Sequence, residues 1–263
     1  MSTIRRWASG FGVFLIYVFL FLPMVVLVAL SFNNASRGTQ WQGFTFSWYE
    51  KLSENQAILE ALSRSLEIAV EATLLSAFLG LCVGISMSRT HGFRKTILQK
   101  LATLPIVLPE IVQGLSLLCF FVWLTIPLGE FSVVIAHTAF GTAYVATLVK
   151  ARLTAMDPLL EEAAADLGAT QSKILVKITL PQLWPAMVSG MLMVFTLSFD
   201  DFIVAFFTAG VGATTLPLKI YSMLKFGVSP EVNALSALIL CASFLLVTMA
   251  FWNQNKRERK FEI

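Results

Sequence analysis

The sequence predicts an all-α membrane protein of six transmembrane helices with both termini in the cytoplasm. Three observations predict it. First, 57% of the 263 residues are hydrophobic and only 13% are charged, with a mean hydropathy of +0.76, far from the usage of a soluble domain. Second, six apolar runs are long enough to cross a bilayer, which takes about 20 residues each: 11–32, 66–88, 101–124, 131–149, 186–208 and 234–252. Third, the basic residues are unevenly shared between the two sides those runs define. One side carries Arg5, Arg6, Arg89, Arg94, Lys95, Lys100, Lys150, Arg152, Lys173, Lys177, Lys256, Arg257, Arg259 and Lys260. The other carries only Arg37, Lys51, Arg64, Lys219 and Lys225. The richer side is expected to be cytoplasmic. The whole chain, 1–263, therefore reads as one transmembrane domain.

The same composition excludes several functions. A net charge of +3, scattered near the ends of the runs, does not suit nucleic-acid binding. Cys82, Cys119 and Cys241 stand alone in apolar runs, as small packing residues without disulfide or metal. His91 and His137 are too few and too far apart for a metal site. No Gly-x-x-x-x-Gly-Lys loop occurs, so ATP binding is expected on another chain.

Taken in order, the first run is too long for a signal peptide and no small-residue cleavage site follows it, so it reads as retained. Residues 33–65 form the largest outer loop, where Trp41, Trp48 and Tyr49 can anchor at the interface. The second run opens with Glu67 and Glu71 near Arg64, read as an interfacial ion pair at a helix N-terminus. Its stripe Ala72, Ser76, Gly80, Gly84 and Ser88 shares one helix face and predicts close packing inside the bundle. The third run holds Pro105 and Pro109, each removing a helix hydrogen bond, and predicts a broken or kinked helix. In the fourth run, His137 reads as a satisfied interior histidine or a path residue. After the fifth run, a glycine-rich turn from Gly210 to Thr215 leads to a short amphipathic helix over Pro217 to Phe226. Ser229-Pro230-Glu231 then caps the sixth run. This segment reads as an outer gate, a receptor contact or plain loop.

The polar segment 150–185 carries the densest pattern. Asp157 can cap a helix that starts at Pro158, and Leu159 to Leu167 are mostly strong helix formers. Gly168 supplies a left-handed stop. Thr170 or Ser172 can cap a second short helix, which Pro181 is expected to limit. Ala163, Ala164 and Ala165 leave a smooth surface ringed by Glu161, Glu162 and Asp166. Such a helix suits a groove on a partner, although the triplet alone favours an ordinary solvated amphipathic helix.

Acids inside a membrane are costly and point to function. Glu110 follows Pro109 in the third run, and irregular backbone at that depth must face protein or a wet cavity. Asp200 and Asp201 lie in the outer half of the fifth run among Phe195, Phe199, Phe202, Phe206 and Phe207. On one continuous helix, consecutive residues point about 100° apart, so the two aspartates would face different surroundings. Acids among aromatic faces suit an organic cation. The alternative is that these acids pair with neighbouring helices and hold the bundle together.

Glu162-Ala163-Ala164, three residues, Gly168, nine residues, Ile178, one residue, Leu180-Pro181: this spacing resembles the cytoplasmic loop of the membrane subunits of bacterial ABC importers. The chain is accordingly identified as a member of the type I ABC importer permeases with a MetI-like core. Within that family, Ser31-Phe32-Asn33, Phe199-Asp200-Asp201, Ala213-Thr214-Thr215-Leu216-Pro217, Lys219 to Met223 and Gly227 to Leu235 resemble the permeases of polyamine importers. The resemblance implies coupling to a separate ATPase through Glu162, Ala163, Ala164 and Gly168, with ATP and magnesium held there and no cofactor on this chain. It implies a second, homologous permease, two ATPase copies, a periplasmic polyamine-binding protein, and import of spermidine or putrescine across the bacterial inner membrane. Glu110, Asp200 and Asp201 are the candidate cation contacts; Glu110 stands where relatives carry an aspartate. Alternatives are a permease for another solute, a secondary transporter using the acids as a cation relay, or a membrane scaffold without a path.

Overall fold

A chain segment in hydrocarbon must satisfy its own backbone, so apolar runs of this length fold as helices. The computed structural model describes residues 2–35, 40–225 and 230–261. Arg37 and the stretch Gly227-Val228-Ser229, with its expected cap, lie outside the described residues. The described residues form twelve α-helices and one π-helical turn. Two compact units arise, Met1–Leu59 with Ile220–Ile263, and Glu60–Lys219.

In the first unit, α1 (Ser2–Leu30) and α12 (Pro230–Phe261) pack together, and α2 (Ser47–Glu54) packs on α12. The Ser31-Phe32-Asn33 motif closes the turn after α1. The Asn33 side chain accepts the Gln42 N–H at 2.8 Å and donates to the Gln40 carbonyl at 2.8 Å. The Asn33 carbonyl accepts the Trp48 indole N–H at 2.8 Å, while the Ser31 and Tyr49 hydroxyls meet at 2.7 Å. Phe32, Phe44, Phe46 and Tyr49 stack around this polar knot. Trp48 is thus buried against Asn33, with Lys51 over its ring, rather than lying free at an interface.

The second unit is built on α6 (Glu130–Ala155), the most enclosed of the long apolar helices. On one side lies α3 (Gln56–Arg89), and on another α9 (Leu180–Asp200). The small-residue stripe explains how closely α3 approaches: a Cβ on Gly84 would stand 2.7 Å from Val149 Cγ1 and 2.9 Å from the Ala146 carbonyl. Ala72, Ser76, Gly80 and Gly84 are all buried and Ser88 is half-buried, so the stripe serves internal packing as expected. Val145, Val149, Leu183, Met187 and Val194 fill the space between α6 and α9 with Ala77 of α3.

Several expectations are corrected. Arg64 does not pair with Glu67 or Glu71, which are exposed; it pairs with Glu130 at 3.8 Å and donates to the Gly212 carbonyl. Its turn of α3 points at the start of α6 and the glycine-rich loop, where Ser65 Oγ also accepts the Leu216 N–H at 2.7 Å. The three cysteines are free thiols on exposed positions instead of packing residues. The third run is two helices, α4 (Gly92–Val107) and α5 (Glu110–Trp123), bent by 110°. The fifth run is also two, α9 and α10 (Ile203–Thr208), parted at Asp201 and Phe202. Among the described residues, four helices are long and apolar enough to cross a membrane, or five if the bent pair is one span; Pro230–Leu245 is a shorter apolar stretch. The expected amphipathic helix is α11 (Leu216–Lys225), close to its expected place.

Candidate functional site

Both helix breaks open onto one cavity of about 380 Å³, lined by Pro105, Glu110, Gln113, Phe140, Tyr144, Thr196, Leu197 and residues 200–204. The first break follows from proline chemistry. Leu108 precedes Pro109 and is pushed out of the helical region, with φ −70° and ψ 137°. Pro109 has no N–H, so the Pro105 carbonyl four residues earlier loses its helical donor. The Gln113 side-chain amide replaces it, donating to the Pro105 carbonyl at 2.8 Å and to the Leu108 carbonyl at 2.9 Å. Gln113 is therefore a clamp across the bend, a role that no local pattern marks. Replacing it with leucine strands two carbonyls and is expected to cost about 1–3 kcal/mol. A lower melting temperature of the purified protein in detergent would measure this, and an unchanged one would refute it.

Glu110 is the first residue of α5 and is exposed on the cavity wall. Its position in the first turn also suits the helix dipole. Among the described residues its carboxylate has no hydrogen-bond or ion-pair partner, and the same holds for Asp200.

The second break is made by Asp201. Its backbone turns extended, with ψ 125°, and its carboxylate accepts the Ala205 N–H at 2.7 Å and the Val204 N–H at 3.3 Å. It thereby satisfies the orphan donors at the start of α10. His137 Nε2 lies 3.2 Å from Asp201 Oδ2, and His137 Nδ1 lies 2.6 Å from Ser198 Oγ. His137 is fully buried and the Asp201 side chain is 7% exposed. With Asp201 ionised, the imidazole donates from Nε2, and a neutral ring accepts the Ser198 hydroxyl at Nδ1. His137 is thus a satisfied interior histidine, one of the two readings its sequence position allowed. Because the helix ends between them, both aspartates line the cavity, contrary to the divergence expected on a continuous helix. Of the five phenylalanines around them only Phe202 does so; Phe195 and Phe199 stack on each other with centroids 6.2 Å apart. Tyr144 and Phe140, from α6, are lining residues that sequence reasoning missed.

The polar loop carrying the Glu-Ala-Ala pattern forms α7 (Leu159–Asp166), α8 (Gln171–Ile174) and the π-helical turn Leu175–Thr179. Asp157 Oδ1 accepts the Leu159 N–H at 3.0 Å, capping α7 as expected. Gly168 has φ +82°. The Ala169 N–H bonds to the Ala164 carbonyl and the Gly168 N–H to the Ala165 carbonyl, at 3.0 and 2.9 Å. This is the Schellman pattern, which needs a residue tolerant of positive φ at that point. Glu162 and Ala163 are exposed and Ala164 is half-buried. Leu159, Leu160 and Leu167 are also exposed, Leu167 at 89%, so α7 presents an apolar surface on a polar loop. Pro181 does not limit the second helix, as had been expected. The π-helical turn carries the chain directly into α9, with the Leu180 N–H donating to the Leu175 carbonyl, and Pro181 falls in the first turn of α9.

Residues 78–262 match the family model described as binding-protein-dependent transport system inner membrane component. The chain is 40% identical over 251 residues to the putrescine transport system permease protein PotI of Escherichia coli (strain K12), covering 93% of this chain and 89% of that one. It is 39% identical over 244 residues to the spermidine/putrescine transport system permease protein PotC of the same strain, covering 93% and 92%. Among solved structures, a chain of a bacterial ABC transporter involved in the import of the acidic polysaccharide alginate superposes with a TM-score of 0.70. It is 15% identical and covers 97% of this chain and 98% of that chain, a likeness of fold.

Proposed function

This chain belongs to the binding-protein-dependent transport system inner membrane component family, and we propose that within it the chain is the permease subunit of an ATP-driven polyamine importer. The reading places it in a bacterial inner membrane with six spans, the bent pair α4–α5 counting as one, and with both termini in the cytoplasm. The basic-residue asymmetry supports that orientation. A second, homologous permease completes the path, two ATPase copies hold ATP and magnesium, and a periplasmic binding protein delivers putrescine or spermidine. This chain itself is no enzyme, as its relatives are named transport permeases.

The observation that carries the substrate class is the cavity. Two carboxylates without partners among the described residues, Glu110 and Asp200, share it with the aromatic walls Phe140, Tyr144 and Phe202. A polyamine is a flexible chain of ammonium groups and methylene spacers, so it finds counter-charge and apolar surface in one place. Asp201 belongs to the same wall, with its oxygens already engaged. In alternating access, the two breaks let half-helices move without exposing unsatisfied backbone to lipid. Of the proposed coupling residues, Glu162 and Ala163 are exposed on α7, Ala164 is half-buried beside them and Gly168 is exposed at its end, where a separate ATPase would grip.

Uptake of labelled putrescine and spermidine in cells lacking the chain, with and without its return, tests this reading. Restoration should recover uptake, Glu110→Gln should weaken it severalfold, and loss of the ATPase should abolish it. Uptake that persists without the ATPase would point to a secondary transporter. Uptake indifferent to the chain would remove the polyamine assignment.

A further inference from the structure

We infer that Glu161, the residue before the Glu-Ala-Ala triplet, is a positioning residue that latches the coupling helix to two membrane helices at once and passes its motion into the transport path. The inference rests on the permease reading above. The two adjacent glutamates of α7 differ in surroundings: Glu162 is exposed, whereas Glu161 turns inward and is half-buried. Arg89 Nη2 lies 3.2 Å from Glu161 Oε1 and 3.3 Å from Oε2, so the guanidinium at the last residue of α3 meets both carboxylate oxygens. Thr179, fully buried in the π-helical turn, donates its hydroxyl to Glu161 Oε1 at 2.6 Å. One carboxylate thus joins the cytoplasmic end of α3, the first turn of α7 and the entry to α9.

Each charge also suits its helix: an acid in the first turn of α7 and a base in the last turn of α3. The ion pair is half-exposed, so by itself it contributes little to stability. The Thr179 bond is partly buried, short and charge-assisted, hence stronger. A contact of that strength survives thermal motion yet can be remade as the loop moves, which is what a transmitting joint needs. From Thr179, α9 runs about 30 Å to Asp200 on the cavity wall. The π-helical turn that holds Thr179 is the irregular element in this line, and such turns recur at functional points. Arg152 Nε adds a strap by donating to the Gln182 carbonyl at 3.1 Å, tying α6 to the same entry.

The test uses the full transporter, reconstituted in vesicles with its partner permease, ATPase and binding protein, and reads labelled putrescine transported per ATP hydrolysed. Glu161→Ala should still co-purify the ATPase but lower this ratio at least about fivefold, the scale of a coupling free energy of 1 kcal/mol. Thr179→Val, which keeps the shape and removes the donor, should lower it as well, while Thr179→Ser should restore it. A wild-type ratio in Glu161→Ala overturns the inference. Loss of ATPase co-purification also overturns it, since Glu161 would then belong to the docking surface. Equal ratios in Thr179→Val and Thr179→Ser refute the α9 arm. Absence of ATP-dependent uptake in the unmodified transporter would instead count against the permease reading itself.

Discussion

Asp201→Leu is expected to destabilise the protein by about 1–3 kcal/mol for each donor it strands, whereas Asp200→Asn should leave the fold intact and weaken transport. The adjacent aspartates look alike in the sequence, but their surroundings differ. The Asp201 carboxylate accepts two backbone N–H groups of α10 and the His137 ring. Leucine leaves those donors without acceptors, including a fully buried imidazole that Ser198 alone can then engage. Asp201→Asn keeps one oxygen toward Val204 and Ala205 and should cost less. Asp200 has no partner to strand among the described residues, so its loss removes counter-charge from the cavity and little else. Melting temperature in detergent and initial uptake rate, measured on the same three variants, separate the two roles. Equal stability for Asp201→Leu and the parent protein would show that the cap and the histidine contact contribute nothing. An Asp200→Asn protein with parental uptake would remove Asp200 from the path.

Substitutions at Gly168 should impair ATPase coupling in the order valine worst, alanine intermediate, asparagine mildest. A Cβ there meets no atom within 4 Å, so crowding plays no part and the backbone alone sets the cost. At φ +82° an ordinary residue is strained by about 1–2 kcal/mol, and a β-branched one by more. Relieving that strain means opening the Schellman turn, which frees the Ala164 and Ala165 carbonyls and swings α7 away from α8. ATPase activity stimulated by the binding protein and its solute is the measurement. An asparagine variant worse than valine would show that positive φ is not what the site requires. Since Gly168 lies on the exposed loop, far from the helix-packing core, global stability should shift less than coupling does.

Much of the membrane helix framework was legible because it depends on properties of the chain taken locally. Apolar run length marks long helices, and four of the six runs hold a helix or a composite helix long enough to cross, with the bent pair a fifth. Proline spacing marks the break at Leu108 and Pro109, where the helices bend by 110°. The helix–glycine–helix form of the loop followed from a cap residue, helix formers and a glycine in order. The break at Asp201 was not legible, since Phe199-Asp200-Asp201-Phe202 contains neither proline nor glycine. What makes it is a carboxylate that serves as a cap, and that depends on His137 and Ser198 to hold it.

The sequence by itself determined the membrane class, the place of the proline break and the helix–glycine–helix pattern of the loop. All of these are set by residue type at short spacing. Only the tertiary structure decided which acids are engaged and which are unpartnered. It paired Asp201 with a histidine 64 positions away and Glu161 with an arginine 72 positions away. It also paired Arg64 with Glu130 instead of its own neighbours. The physical reason is that an ionic or hydrogen-bonded partner is chosen by which helix faces meet. Close approach of backbones such as α3 and α6 sets those faces, and no periodicity within a single helix records it.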